Sequence, residues 1–265
     1  MSNGDPEAWA PSRQLRRGNA AEQIFEDLRE HILRGTLARG DKLPTEKSLA
    51  SAYGVSGATA REAMRSLATA QLVEVRHGSG AFVTADADKL LAVSLDSMMH
   101  LQRVGVAELL DVLGALNTYA GEIAARRAVP TQIAVLRESL ADMEKARDVE
   151  SLAMGLRRFL DTLAQASANP LLVALCRYLT NIQVTLAVRL SGNTYESWRR
   201  TTRKLQKERA LLVDAIESGD PVAARQAARA YHERSIKVIG ALPHAETTPT
   251  SDRWLAEIFQ PESSN

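Results

Sequence analysis

The chain of 265 residues contains one cysteine, only 5% aromatic residues and no excess of charge of either sign. Each shortage excludes something. A lone cysteine, Cys176, has no partner for an intramolecular disulfide, and in the apolar stretch LLVALCRYL it reads as an inert core thiol. Lys and Arg total 33 against 32 Asp and Glu, so no broad basic field marks a nucleic-acid partner. There is no apolar run of about 18 residues and no apolar leader, so neither a membrane span nor a signal peptide is expected, which fits a cytoplasmic protein. Catalytic signatures are missing as well. No phosphate loop, G-x-S-x-G elbow or zincin spacing occurs, and the five histidines are scattered at 31, 77, 100, 232 and 244. The expectation is therefore no catalytic residues, with a helical-bundle enzyme kept only as a distant alternative.

The length exceeds one usual domain, and 45% hydrophobic residues suffice for packed cores. The most informative stretch is Leu43 to Val83, LPTEKSLASAYGVSGATAREAMRSLATAQLVEVRHGSGAFV. Pro44 cannot lie inside a helix, Thr45 can cap the next one, and Glu46 stands in its first turn. Leu49, Ala50 and Tyr53 form its apolar stripe. Gly54 ends it, Val55 fills the turn, and Ser56 can cap a second helix whose inner face is Ala60, Ala63, Met64 and Leu67. Two helices joined by so short a turn have helix-turn-helix geometry, which offers the second helix to the DNA major groove. Val73-Glu74-Val75, then His77-Gly78-Ser79-Gly80, then Ala81-Phe82-Val83 read as strand, glycine-rich turn and strand, a wing.

At these residues the chain resembles the GntR superfamily of bacterial transcription regulators. PTE-K-x-LA, GVS, REA-M-x-x-L and HGSG-x-FV stand in the family's order and spacing, and the likeness extends upstream through Ile24-Phe25-x-x-Leu28 and Ile32-Leu33-x-Gly35-x-Leu37. It covers roughly residues 20 to 84. The resemblance implies a DNA-facing set of Lys47, Ser56, Gly57, Thr59, Arg61, Arg65, His77 and Gly78. One position departs from the pattern: after GVS the family usually has a base-reading arginine, and here stands Gly57, followed by Ala58. Loss of that bidentate reader changes the expected operator while leaving DNA binding in place. Lys47 replaces a common arginine and is expected on a phosphate. Arg61 is expected on a base or phosphate, its alternative being a salt bridge to Glu62 or a neighbouring helix. His77 has two readings, a minor-groove contact or a solvated turn residue. Residues 1–84 hold 11 Lys and Arg against 10 Asp and Glu, net +1, so any positive face must come from clustering. Arg13, Arg16 and Arg17 read as a basic arm or as a disordered leader.

Beyond Val83 the pattern becomes almost purely helical. Ala85 to Lys89 reads as a short polar connector. Apolar stripes at helical spacing follow, with breaks near Gly105, Pro130, Asp148, Asn169-Pro170, Gly192 and Gly219-Asp220-Pro221. Segments of this length imply an antiparallel bundle of about six or seven helices. Residues 243–265 look loosely ordered, with one docked turn possible at Trp254, Ile258 and Phe259. Arg199, Arg200, Arg203, Lys204, Lys207 and Arg209 read either as a solvated basic helix surface or as an anion-facing rim.

From about Ala107 to Ile236 the chain resembles the ligand-binding helical domain of the FadR-type branch, called FCD. ELLDVLGALNTYAGEIAARRA, FLDTLAQASANPLL and ALLVDAIESGDPVAARQAARAYH carry the likeness. Such domains enclose a small carboxylate beside a metal held by an aspartate and three histidines. Here the aspartate and first histidine fall on Leu156 and Leu160, the second histidine falls on Glu208, and only His232 survives. The family's early arginine and glutamate become Leu113 and Asn117. One imidazole and one carboxylate do not make a dependable metal site, so no metal and no cofactor are expected. His232 is expected to pair with Glu208 or to be exposed.

The expected architecture is mainly α, an N-terminal winged helix-turn-helix plus a C-terminal all-α antiparallel bundle. Its expected divisions are an arm at 1–18, the DNA-binding domain at 19–84, the effector and dimerisation domain at 85–240 and a tail at 241–265. The expected function is a homodimeric repressor that leaves a palindromic double-stranded operator when a hydrophobic, acyl or aromatic effector binds. The effector set is Leu113, Asn117, Leu156, Leu160, Glu208 and His232. The competing reading is a DNA-binding regulator whose bundle serves only dimerisation.

Overall fold

The computed structural model describes residues 19–76, 78–245, 248 and 250. The basic arm with Arg13, Arg16 and Arg17, the wing-tip His77 and the turn at Trp254, Ile258 and Phe259 lie outside the described residues. The chain divides into two compact units, with the division after Leu90.

The first unit is built on α1 (Ala20–Leu33), α2 (Glu46–Tyr53) and α3 (Gly57–Thr69). Each begins at a capped amide. The Asn19, Thr45 and Ser56 side chains accept from the amides of Glu22, Ser48 and Thr59, satisfying donors that no helix can pair internally. Gly54 ends α2 at φ +65°, a left-handed conformation that glycine adopts without steric cost. Ile24, Leu28, Leu49, Ala60, Ala63 and Leu67 form the centre of the core. One polar link crosses it: the Tyr53 hydroxyl donates to the buried Asp27 carboxylate at 2.5 Å, tying α2 to α1. Burial first, and the adjoining carboxylate second, push the Tyr53 phenol well above its ordinary pKa. Strands β1 (Val73–Arg76) and β2 (Gly80–Val83) pair antiparallel, Val73 opposite Val83 and Arg76 opposite Gly80. Gly80 has φ +104°, a conformation that L side chains rarely adopt, so the wing favours glycine at this corner.

The second unit is helical throughout its described elements. Helix α4 (Ala87–Leu101), in which the division between units falls, is followed by α5 (Val106–Arg127), α6 (Pro130–Lys145) and α7 (Val149–Gln165). Then come α8 (Pro170–Leu190), α9 (Tyr195–Arg203), α10 (Gln206–Glu217) and α11 (Pro221–Gly240). Asp148, Asn169 and Asp220 cap α7, α8 and α11, and Pro170 and Pro221 occupy first-turn positions where a missing N–H costs nothing. Helices α5 and α11 pack closely through small residues: a Cβ on Gly114 would lie 3.2 Å from His232 Cβ, and one on Gly121 would lie 3.1 Å from Ala228 Cβ. Helix α8 is long and apolar enough by length and composition to cross a membrane, yet more than half of its most apolar window is buried in the bundle. Cys176 lies on it, buried and unpaired, its thiol pushed up to about 12 by burial and then by Asp161.

Three details differ from the sequence expectation. The stretch read as a connector, Ala85 to Lys89, is partly helical, because Asp86 Oδ1 accepts from the amides of Asp88 and Lys89 and opens α4. The described bundle has eight helices rather than six or seven, partly because α9 and α10 break at Lys204-Leu205, where no glycine or proline signals an end. Part of the tail is packed: Ala245 and Thr250 are buried, and the Thr250 hydroxyl donates to the Val104 carbonyl.

Candidate functional site

On the first unit, α3 buries Ala60, Ala63, Met64 and Leu67, which leaves Gly57, Arg61 and Arg65 exposed to solvent with Thr59 half-buried. Ser56 Oγ accepts from the Thr59 amide at 3.1 Å and lies 2.8 Å from Thr59 Oγ1, so both hydroxyls cluster at the start of α3. A Cβ on Gly57 would meet nothing within 4 Å, so this corner is open to close approach. Arg61 Nε donates to Glu46 Oε2 at 3.0 Å, across from α3 to α2. That is the neighbouring-helix salt bridge named as its alternative. It uses only Nε, so both terminal nitrogens of the guanidinium keep their donors free. Lys47 is exposed on α2, and Gly78 is exposed at φ +73° beside the wing turn.

Two basic residues outside the expected DNA-facing set lie at the wing. Lys42 Nζ lies 5.9 Å and Arg76 Cζ 4.8 Å from the Phe82 ring centre, cation–π distances that gather two cations at the wing stem. Arg76 also reaches Glu74 at 3.1 Å. Only strand register brings these residues to Phe82, so sequence spacing alone gave no sign of them.

In the bundle, the residues expected around an effector are dispersed in their environment. Leu113, Leu156 and Leu160 are buried apolar core, and Asn117 is fully buried with neither amide atom hydrogen-bonded. Glu208 Oε2 and His232 Nε2 are likewise buried without partners. The expected Glu208–His232 pair is therefore not formed, and His232 is not exposed. Close packing against Gly114 and an edge-on approach to the Tyr231 ring at 4.9 Å seal it in. Burial pushes its pKa down to about 4, so it is neutral near pH 7. The donor set for a metal does not fit. Leu156 and Leu160 offer no donor atom, and among the described residues no group of three or more His, Cys, Asp or Glu converges.

A different cavity lies among α7, α8, α9, α10 and α11. Of the six expected effector residues only Leu156 lines it; Gln183, Val184, Ala187, Trp198, Thr201, Thr202, Leu205, Arg209, Tyr231 and Ile239 complete the wall. It measures about 10 Å³, room for about one water. Arg209 is the unexpected member. Read from sequence as part of a basic cluster, it is 1% exposed, while Arg200, Arg203, Lys204 and Lys207 stay at the surface. The helical repeat explains the difference: Arg209 follows Leu205 by four residues and precedes Leu212 and Val213 by three and four, all on the buried side of α10 and its entry. Its Nη1 donates to the Thr202 carbonyl at 3.1 Å, its Nε to the Tyr231 hydroxyl at 3.4 Å, and its Cζ lies 5.3 Å from the Tyr231 ring centre. Leu113, where the family has an arginine, is buried core, and the guanidinium buried in the bundle is that of Arg209 on α10.

Comparison with known proteins agrees with both units. Residues 20–83 match the model of the bacterial regulatory proteins of the gntR family, and residues 108–234 match that of the FCD domain. The HTH-type transcriptional regulator Mce2R of Mycobacterium tuberculosis (strain CDC 1551 / Oshkosh) is 28% identical over 80% of this chain and 88% of its own. The HTH-type transcriptional regulator LutR of Bacillus subtilis (strain 168) is 25% identical over 76% of this chain and 92% of its own. A Streptococcus agalactiae GntR structure superposes with a TM-score of 0.61 at 25% identity, covering 82% of this chain and 99% of that one. With a helix-turn-helix and wing in the first unit and an FCD bundle in the second, the chain belongs to the GntR family of transcription regulators and is not an enzyme.

Proposed function

We propose that this protein is a cytoplasmic, ligand-responsive repressor that binds a palindromic operator as a homodimer. Residues 19–84 serve as the reading head and 85–240 as the sensing and dimerising part. The carrying observation is the α3 surface, where capped hydroxyls at Ser56 and Thr59, the open corner at Gly57 and the half-engaged Arg61 lie together. In this reading α3 enters a major groove. Glu46 orients the Arg61 guanidinium while its terminal nitrogens contact a base or phosphate, Lys47 and Arg65 meet phosphates, and Gly78 lets the wing approach the backbone. Val112 and Tyr119, both about half exposed and seven residues apart on one face of α5, support a self-complementary apolar interface. Effector in the bundle lowers operator affinity by a coupling on the order of 1–3 kcal/mol.

The effector in this reading is mainly hydrophobic, since Leu156, Val184, Ala187, Leu205 and Ile239 dominate the cavity wall. The test is selection of bound sequences from a random duplex library, followed by footprinting. An inverted repeat protected symmetrically supports the proposal, and a single unsymmetrical half-site contradicts the dimer. A second reading, in which the bundle only dimerises, is favoured by the small size of the cavity. It predicts that no small molecule changes the melting temperature of the protein.

A further inference from the structure

We infer that Lys42 and Arg76, seated on the ring of Phe82, form a phosphate clamp on the outer face of the wing, a hold on double-stranded DNA separate from α3. The inference rests on the reading of the first unit as a DNA-reading head and adds residues to it. The pleat supplies the juxtaposition. Successive residues of a strand point to opposite faces, and directly opposed cross-strand partners share a face. Val73, opposite Val83, and Ala81 are buried in the core of the unit. Glu74, opposite Phe82, and Arg76, opposite Gly80, therefore lie on the other face, where all but the half-buried Phe82 are exposed. Lys42 bridges Phe82 from the edge away from β1 and joins that face. The two cations approach one ring, Lys42 Nζ at 5.9 Å and Arg76 Cζ at 4.8 Å from its centre. Gly80 gives the lysine room: Lys42 Cε lies 2.8 Å from where a Cβ would stand, so its stem passes over the glycine.

The charges on this face are not spent. Arg29, Arg34 and Arg39 of the same unit are each paired with a carboxylate, whereas among the described residues Lys42 meets the Phe82 ring and no carboxylate. Arg76 donates from Nε and from Nη2 to one oxygen of Glu74, each at 3.1 Å, which leaves Nη1 uncommitted. A ring face attracts a cation without neutralising it, so Phe82 holds both groups and leaves their charge available. It also restricts two long side chains before a partner arrives, which lowers the ordering cost of binding. Duplex DNA presents negative charges at short, regular intervals, and a compact ammonium beside a guanidinium suits neighbouring phosphates. Such a contact adds affinity and salt dependence and carries little sequence preference. In this arrangement Lys42 and Arg76 bind, and Phe82 is a positioning residue.

The test uses the full chain and two duplexes of equal length, one carrying the operator selected from a random library and one unrelated. Binding is read by fluorescence anisotropy between about 50 and about 200 mM salt. The variants are Lys42→Gln, Lys42→Arg, Arg76→Gln, Glu74→Gln and Phe82→Leu, with Arg61→Ala as the control for α3. Lys42→Gln and Arg76→Gln are each expected to weaken both complexes by about tenfold and to lower the log–log salt slope by about one. Lys42→Arg restores affinity and slope. Glu74→Gln removes a negative charge and frees the guanidinium, so it should tighten both complexes by about threefold; an ion pair with a merely structural role would give a loss instead. Phe82→Leu keeps the apolar bulk and both cations, and should cost about threefold with the slope unchanged. Should Phe82→Leu fail to fold, the other variants, all at exposed side chains, decide the matter. Wild-type slopes in both Lys42→Gln and Arg76→Gln, or a weaker complex in Glu74→Gln, would overturn the clamp, and loss of the operator by Arg61→Ala would then leave α3 as the reader. A wild type that binds neither duplex would overturn the clamp and the reading head together.

Discussion

In the reading head the polar groups of α3 lie at or near the surface with their local hydrogen bonds closed, Ser56 to Thr59 and Arg61 to Glu46. In the bundle, Asn117, Gln183, Trp198, Glu208 and His232 are wholly or partly buried and carry open valences. Water hydrates the head's exposed groups until DNA replaces it, so the free head is stable as it stands. The bundle's open groups each cost stability in the absence of a partner, and natural cores retain few of these. The contrast separates a surface that meets a large polyanion from an interior suited to a small guest. It also places the two functions on different physics, salt-dependent phosphate contact in one and desolvated pairing in the other.

The largest effect should come from the apolar side of the bundle. Leu160→Ala, at a fully buried site on α7, is expected to destabilise the protein by about 2–5 kcal/mol in denaturant unfolding. Operator binding at low temperature should survive, because the head has its own core. Loss of DNA binding with the bundle still folded would break the separation drawn here.

Next is pH. His232 is charged below about 6.5 in the unfolded chain but resists protonation in the fold until about pH 4. Its contribution is therefore complete above pH 6.5 and is lost as pH falls from 6.5 toward 4, by about 3 kcal/mol in all. Unfolding free energies measured across that window should fall steeply for the wild type and less so for His232→Gln. Equal slopes would mean that the histidine is solvated.

Smaller effects are expected in the head. Arg61→Ala should weaken specific operator binding by about 1–3 kcal/mol if a base is read, while the exposed pair with Glu46 contributes less than about 1 kcal/mol to stability. Unchanged affinity together with a large loss of stability would reverse those roles. Tyr53→Phe removes the donor to buried Asp27 and should destabilise the head by about 1–2 kcal/mol, read from its unfolding midpoint.

The head was readable from sequence because its signals are local. Thr45, Gly54 and Ser56 stand within twelve residues of one another, and each acts on its own helix end. The bundle's helix boundaries at Asp148, Asn169-Pro170 and Asp220-Pro221 were readable for the same reason. Its chemistry was not. Gln183, Trp198, Arg209 and Tyr231 come from α8, α9, α10 and α11, and no spacing in the chain brings them to one wall. Arg209 was hidden for a further reason: five basic residues precede it within ten positions, so composition suggested a surface, whereas the apolar phase set by Leu205, Leu212 and Val213 turns it inward. Resemblance directed attention to Leu156, Leu160, Glu208 and His232, of which one reaches the cavity. Tyr53 was read as part of an apolar stripe because its ring is apolar; its hydroxyl found Asp27 only through the approach of α1 and α2.

The most direct measurement is the fluorescence anisotropy of a labelled, selected operator duplex titrated with the wild type and with Arg61→Ala, whose guanidinium lies on the α3 surface. The account predicts saturation at two subunits per duplex and a weaker complex for Arg61→Ala. Saturation at one subunit per duplex, or equal affinity of the two proteins, would contradict it.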